Sequence, residues 1–261
     1  AANRWEEIIT SDLTDYEALP LNYSWFGSTY LYSDAIDDVA IAYSFEQIDG
    51  PRGTLGQAGP ILLRDDVGDK DFLMPLSGQM VFDIEDISTL NDPSQLTSLI
   101  LHEIGHILGF GTLWPTRYNG CGGVCSIYGL GRKNSPCWAS FQYFWYFGSH
   151  LKLESEGGDG TACSHWSEDQ LGNELMTGSL NVDSVNPITV ITIGAMKDLG
   201  YEVDYSKADP IDSVIYTARN LRDSDQSSKK SEENKYRLRT DIVEVEHRGA
   251  STVHARPVKK I

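Results

Sequence analysis

The chain has 261 residues, of which 40% are hydrophobic and 23% charged. That composition is globular and long enough for one large domain or two small ones, and it excludes a disordered or fibrous chain. Lys and Arg number 21 against 38 Asp and Glu, a formal charge of −17, and so acidic a surface repels nucleic acid and anionic lipid, which excludes general nucleic-acid binding. No apolar run approaches the roughly 18 residues of a membrane span. With no signal peptide and Ala1 in first place, the expectation is a processed product or a fragment of a longer protein.

In chain order, Asn3–Ile9 reads as the end of an amphipathic helix with Trp5, Ile8 and Ile9 on one side. From Asp37 to Ile48 the residues Val39, Ile41, Tyr43 and Phe45 alternate with polar ones, the pattern of a half-buried strand. Gly50–Gly59 reads as a turn region, Ile61–Leu63 as a second short strand, and Met80, Phe82 and Ile84 as a third. The strongest helix follows. Asp92 is its cap, Pro93 its first residue, and Gln95 the third residue after the cap, completing a capping box. Leu96, Leu99, Ile100, Ile104, Ile107 and Leu108 form a wide apolar face, and Gly109 ends the helix. Thr189–Leu199 is a further helix, closed by Gly200. Strands followed by helices predict an α+β fold with a mostly small sheet.

Cys121, Cys125, Cys137 and Cys163 are the four cysteines, all in one stretch. They predict two disulfides of undetermined pairing and an oxidising compartment. A second zinc site is the weaker reading, because paired C-x2-C knuckles are missing. Ten aromatic residues lie from Trp114 to Phe147, mostly expected as the core of a disulfide-pinned subdomain. Residues 1–218 hold 10 basic and 31 acidic side chains, residues 219–261 hold 11 and 7. That break, with the Ser/Lys/Glu-rich run Asp223–Asn234, predicts a flexible basic tail or a module cut short.

The chemistry sits near the end of the strong helix, in the string HEIGH. His102 and His106 are one helical turn apart on one face, so both imidazoles reach one metal ion. Glu103 is rotated by about 100°, beside the metal, where it accepts a proton from water. The bland alternative, two core histidines, would bury two imidazoles and a carboxylate without evident partners, which is costly. Zinc in a catalytic site needs a third protein ligand. The compact pattern H-E-x-x-H-x-x-G-x-x-H holds through Gly109 but has Thr112 at its last position. Among His150, His165, His247 and His254, His165 is favoured: it precedes NELMTG, and the metzincin pattern requires a Met-bearing turn after the third ligand. His150 is expected to be an ordinary loop residue. A carboxylate third ligand, Glu154 or Glu168, is the nearest chemical rival.

The strings RWEEII at Arg4–Ile9, LGQAGP at Leu55–Pro60, PLSGQMVFD at Pro75–Asp83, HEIGHILGFGTLW at His102–Trp114, SHW at Ser164–Trp166, NELMTG at Asn173–Gly178 and ITIGAMKDLGY at Ile191–Tyr201 occur in one order. Together they resemble the leishmanolysin-like zinc metallopeptidases, the metzincin branch with a long insertion before the third histidine. The resemblance implies one zinc ion per chain on His102, His106 and His165, Glu103 as catalytic base, and Met176 as the Met-turn residue. It implies an α+β metzincin fold with a twisted N-terminal sheet, an active-site helix and an irregular C-terminal part. Residues 1–205 would be the catalytic domain, with 112–164 a Cys- and aromatic-rich insertion, and 206–261 the tail. The implied function is zinc-dependent endopeptidase action on proteins or peptides, in a secreted or cell-surface protein. A catalytically weak cell-surface adhesion protein on the same fold is the alternative.

Overall fold

The computed structural model describes residues 1–16, 21–25, 28–32, 35–64, 71, 73–90, 92–114, 137–158, 160–181, 185–212, 214, 235–240, 243–248 and 252–257. Helix α1 (Ala2–Ile8) is followed by an antiparallel hairpin, β1 (Leu21–Trp25) and β2 (Ser28–Tyr32). Then come β3 (Ala40–Glu46), β4 (Thr54–Leu63), β5 (Pro75–Asp83), the single turn α2 (Ile84–Ile87) and the long helix α3 (Pro93–Ile107). The second half holds α4 (Trp138–Phe147), the short α5 (Glu168–Leu171), β6 (Ser179–Asn181) and α6 (Val190–Leu199). Strands β7 (Lys235–Thr240), β8 (Val243–Arg248) and β9 (Thr252–Pro257) end the series. This is a mixed α+β architecture.

The main sheet has the order β3-β5-β4-β7-β6. Strands β3 and β5 run parallel, β4 and β5 antiparallel, β4 and β7 parallel, and β6 and β7 antiparallel. Every residue of β5 is buried, and all but one of β4, and α3 packs against both strands. Edge strand β3 follows the expected alternation, but Tyr43 and Phe45 face outward and are exposed.

The stretch Gly50–Gly59, expected as a turn, is strand from Thr54 onward. Its glycines serve close approach rather than chain reversal. A Cβ on Gly56 would lie 2.7 Å from Glu103 Oε1. The carbonyl of Gly59 lies 2.9 Å from where a Gly78 Cβ would stand, with Ile107 of α3 closer still. Small residues let helix and sheet touch.

Helix α3 begins as the local signals require. The Asp92 carboxylate accepts from the Ser94 amide, Pro93 opens the first turn, and Gly109 leaves the helix at φ 108°. Leu99, Ile104 and Ile107 are buried. Trp5 of α1 crosses the helix and donates its indole N–H to the Leu101 carbonyl. Helix α6 starts at the Thr189 cap and stops at Gly200, φ 115°.

Between them, α4 is fastened by Asp198 of α6, whose carboxylate accepts from the Trp138 and Ala139 amides at 2.7 and 3.0 Å. Burial pushes that carboxyl up to about 6. The aromatic insertion departs from the expected core. Tyr143 is buried, but Phe141, Phe144, Trp145 and Tyr146 are exposed. Cys121 and Cys125 lie outside the described residues, as does the run Asp223–Asn234. Part of the stretch expected as a tail, Lys235–Thr240, stands inside the main sheet as β7. Charge composition carries no signal for such long-range pairing.

Candidate metal centre

Three imidazoles converge in the interior. Nε2 of His102 lies 2.8 Å from Nε2 of His106 and 3.2 Å from Nε2 of His165, and the last two are 3.1 Å apart. All three side chains are fully buried. Each Nδ1 faces a carbonyl: His102 that of Leu175 (2.6 Å), His106 that of Phe110 (2.8 Å), His165 that of Thr161 (3.0 Å). A carbonyl only accepts, so each Nδ1 carries the proton and each Nε2 presents a lone pair. Three lone pairs turned on one point repel unless a cation sits among them. Tetrahedral zinc with Zn–N of about 2.0–2.1 Å would hold its ligand nitrogens roughly 3.3 Å apart, close to the spacing found. Among the described residues this is the group of His, Cys, Asp or Glu side chains arranged to hold a metal ion.

Burial is also the main reason these rings stay neutral. It holds His102 and His106 well below the ordinary imidazole value, assisted by the neighbouring rings, and brings His165 down to about 4. Neutral imidazole is the form that binds metal.

Glu103 comes from the same helix and is completely buried beside the ligands. Its carboxylate lies against β4 at Gly56, where only a hydrogen leaves room. Met176 is also fully buried. Its Sδ and Cε lie 2.9 Å from where a Cβ on Gly105 would stand. The glycine of HEIGH is therefore the seat of the Met-bearing turn.

That turn is tied down by a group sequence reasoning did not single out. Glu174 is buried and accepts four hydrogen bonds: from the Met176 amide (2.7 Å), the Thr189 amide (3.0 Å) and hydroxyl (3.1 Å), and the Thr192 hydroxyl (2.6 Å). Thr192 in turn accepts from the Trp166 indole at 2.8 Å. One carboxylate thus joins the turn, the start of α6 and the residue after His165. Burial pushes it up to about 7, with the four donors pulling the other way. The only sequence hint was an acidic residue two positions before Met176 in the string NELMTG.

The remaining candidates stay outside the cluster. His150 is exposed, and among the described residues its carbonyl accepts from the Gln170 side chain. Glu154 accepts from the amides of Ser155, Glu156 and Glu168. Neither Glu154 nor Glu168 joins the three histidines.

A helix-borne histidine pair, a third histidine from a distant loop and a glutamate alongside define a protein built to hold a metal ion beside a carboxylate. Residues 69–221 match the family model of the leishmanolysin peptidases, peptidase M8. That is more than half of the chain, and the chain belongs to this family. It is 43% identical over 61 residues to a leishmanolysin-like peptidase of Drosophila melanogaster, covering 23% of this chain and 9% of that protein. It is 33% identical over 118 residues to a leishmanolysin homolog of Crithidia fasciculata, covering 42% of this chain and 18% of that protein. The matched part is therefore less than a fifth of either relative's length.

Proposed function

We propose that this chain is a zinc-dependent metalloendopeptidase of the metzincin kind, with His102, His106 and His165 as ligands of one zinc ion and Glu103 as general base. The observation that carries the reading is the convergence of three Nε2 lone pairs, each fixed by an Nδ1–H bonded to a carbonyl. Second-sphere acceptors of this kind orient metal-binding histidines. Zinc, when bound, supplies Lewis acidity that polarises a peptide carbonyl and acidifies water. The rest falls to the chain's own groups. The Glu103 carboxylate takes a proton from the attacking water and returns it to the leaving nitrogen. Its burial beside Gly56 keeps it in one place. Met176 supports the three ligands from below, packed on Gly105, as an uncharged and polarisable side chain suits.

The same proposal takes residues 1–205 as the catalytic domain. It places the protein in the secreted or cell-surface compartment, with protein or peptide substrates. Cys163, a disulfide-bonded cysteine, supports an oxidising compartment. Among the described residues no helix is long and apolar enough to cross a membrane.

The test is hydrolysis of casein or a quenched fluorescent peptide, with and without a chelator, and with zinc restored. Glu103→Gln is expected to keep zinc and fold while losing a factor of about 100 or more in rate, the usual size of a general-base effect. Chelator-insensitive cleavage, or a fully active Glu103→Gln, would refute the assignment.

A further inference from the structure

Helix α4 is apolar on every side, yet one side of it meets solvent. Seven of its ten residues are aromatic and none is charged. Ala139 and Tyr143 are buried, and Ala139 packs so closely on α6 that a Cβ on Gly194 would lie 2.9 Å from its amide nitrogen. Phe141, Phe144 and Trp145 fall within about 100° of one another on the opposite side. They are 54%, 57% and 75% exposed, and the rings of Phe141 and Trp145 lie 6.4 Å apart. A helix that is apolar all round is ordinarily buried, and contiguous exposed rings mark an interaction surface. The helix itself is held firmly. Asp198 accepts from its first two amides, and the Lys197 ammonium lies 4.2 Å from the centre of the Trp138 ring.

The sequence around the helix points to what covers it. From Ile104 to Leu153 there is no Asp or Glu in 50 residues, although the whole chain holds 38 in 261. The same stretch keeps four basic residues, and Lys152, just past the helix, is exposed. A protein partner tolerates carboxylates at the rim of its interface, where water remains. A bilayer does not, because a carboxylate drawn toward hydrocarbon is costly to dehydrate. Trp and Phe rings settle at the headgroup boundary, and a lysine stem lies along it while its ammonium stays with the phosphates. A chain of net charge −17 is repelled by anionic lipid, so the matching surface is a neutral one. Ten residues rise only about 15 Å. Among the described residues no helix is long and apolar enough to cross a membrane, so α4 lies on the bilayer and does not span it.

We propose that the face of α4 bearing Phe141, Phe144 and Trp145 docks on a neutral phospholipid bilayer, with its rings in the headgroup layer and the helix axis along the surface. Burial of aromatic area holds the contact, and charge contributes little. The proposal stands independently of the peptidase reading. It has a consequence for the metal centre all the same. Helix α4 is clamped to α6, and the α6 cap Thr189 is bonded to Glu174 of the Met-bearing turn. A docked α4 therefore fixes how the three histidines are oriented toward the membrane.

The experiment is flotation of the whole chain with vesicles of pure phosphatidylcholine. Withdrawing each half-exposed ring from water is expected to contribute about five- to tenfold in partitioning. The triple variant Phe141→Gln, Phe144→Gln and Trp145→Gln should therefore bind about a hundredfold more weakly or worse, with its melting temperature and metal content unchanged. Trp145→Gln alone should lose about five- to tenfold, and it carries the test if the triple variant fails to fold. Tyr43→Gln with Phe45→Gln removes two exposed rings of β3 and should float like the parent. Raising the salt to about 0.5 M should leave flotation unchanged, since screening acts on charges and not on buried rings. A parent that does not float, a triple variant that floats equally well, a β3 variant that loses as much, or binding abolished by salt each overturns the proposal. So does a parent that dimerises in sedimentation through these rings without floating, which would assign the face to a second copy of the chain.

Discussion

Gly56→Ala probes the catalytic carboxylate without touching a ligand. The new Cβ would sit 2.7 Å from Glu103 Oε1 and 3.2 Å from Phe82 Cδ1. Ordinary contact begins at 3.4 Å, so the carboxylate must retreat by about 0.7 Å, in a packed interior that resists such shifts. The backbone of Gly56 is not in the left-handed region, so alanine adds no dihedral strain. Overpacking of this size costs about 1–3 kcal/mol of stability. A displacement near 1 Å in a reacting group costs up to about a hundredfold in rate. The expected outcome is a fall in kcat of about 10- to 100-fold, with one zinc per chain retained and a modest loss in melting temperature. Peptide hydrolysis, metal analysis of the purified protein and a thermal melt measure the three quantities. Activity within about twofold of the parent, or loss of zinc together with activity, would refute the claim that Gly56 acts by giving Glu103 its place.

His165→Ala should abolish activity and sharply weaken zinc binding in a chelator competition, whereas His150→Ala leaves both nearly unchanged, since His150 is exposed and lies outside the three-histidine group. The reverse result would move the third ligand. Glu174→Ala strips four donors of their acceptor and should cost about 3 kcal/mol or more in urea denaturation; a loss under about 1 kcal/mol would mean the turn needs no clasp. In the metal-free protein, His165 titrates near 4 when folded and near 6.5 when unfolded. Between those values the unfolded chain binds more protons. The contribution of neutral His165 is therefore present above pH 6.5 and lost as pH falls to 4, roughly 3 kcal/mol in all. The stability gap between the parent and His165→Ala should narrow by that amount over this window. A constant gap would contradict the burial argument.

What the sequence determined alone was whatever local chemistry controls. Asp92 and Pro93 start α3, and Gly109 ends it, because capping and the left-handed exit depend on a few adjacent residues. His102 and His106 share a face because four residues make about one turn of any α-helix. Tertiary structure decided the rest. It brings His165 to 3.2 and 3.1 Å from the other two histidines, although 59 residues separate it from His106. It turned the glycine-rich stretch into β4, since a glycine that permits a turn also permits a carboxylate to lie against a strand, and only the partner distinguishes the two. It gave Glu174 its four donors from three residues, Met176, Thr189 and Thr192, and it set Lys235–Thr240 between β4 and β6. Periodicity and caps report energies within one turn or one strand. Ligand convergence, buried-carboxylate satisfaction and strand order are set by contacts between residues far apart in the chain, which no local pattern encodes.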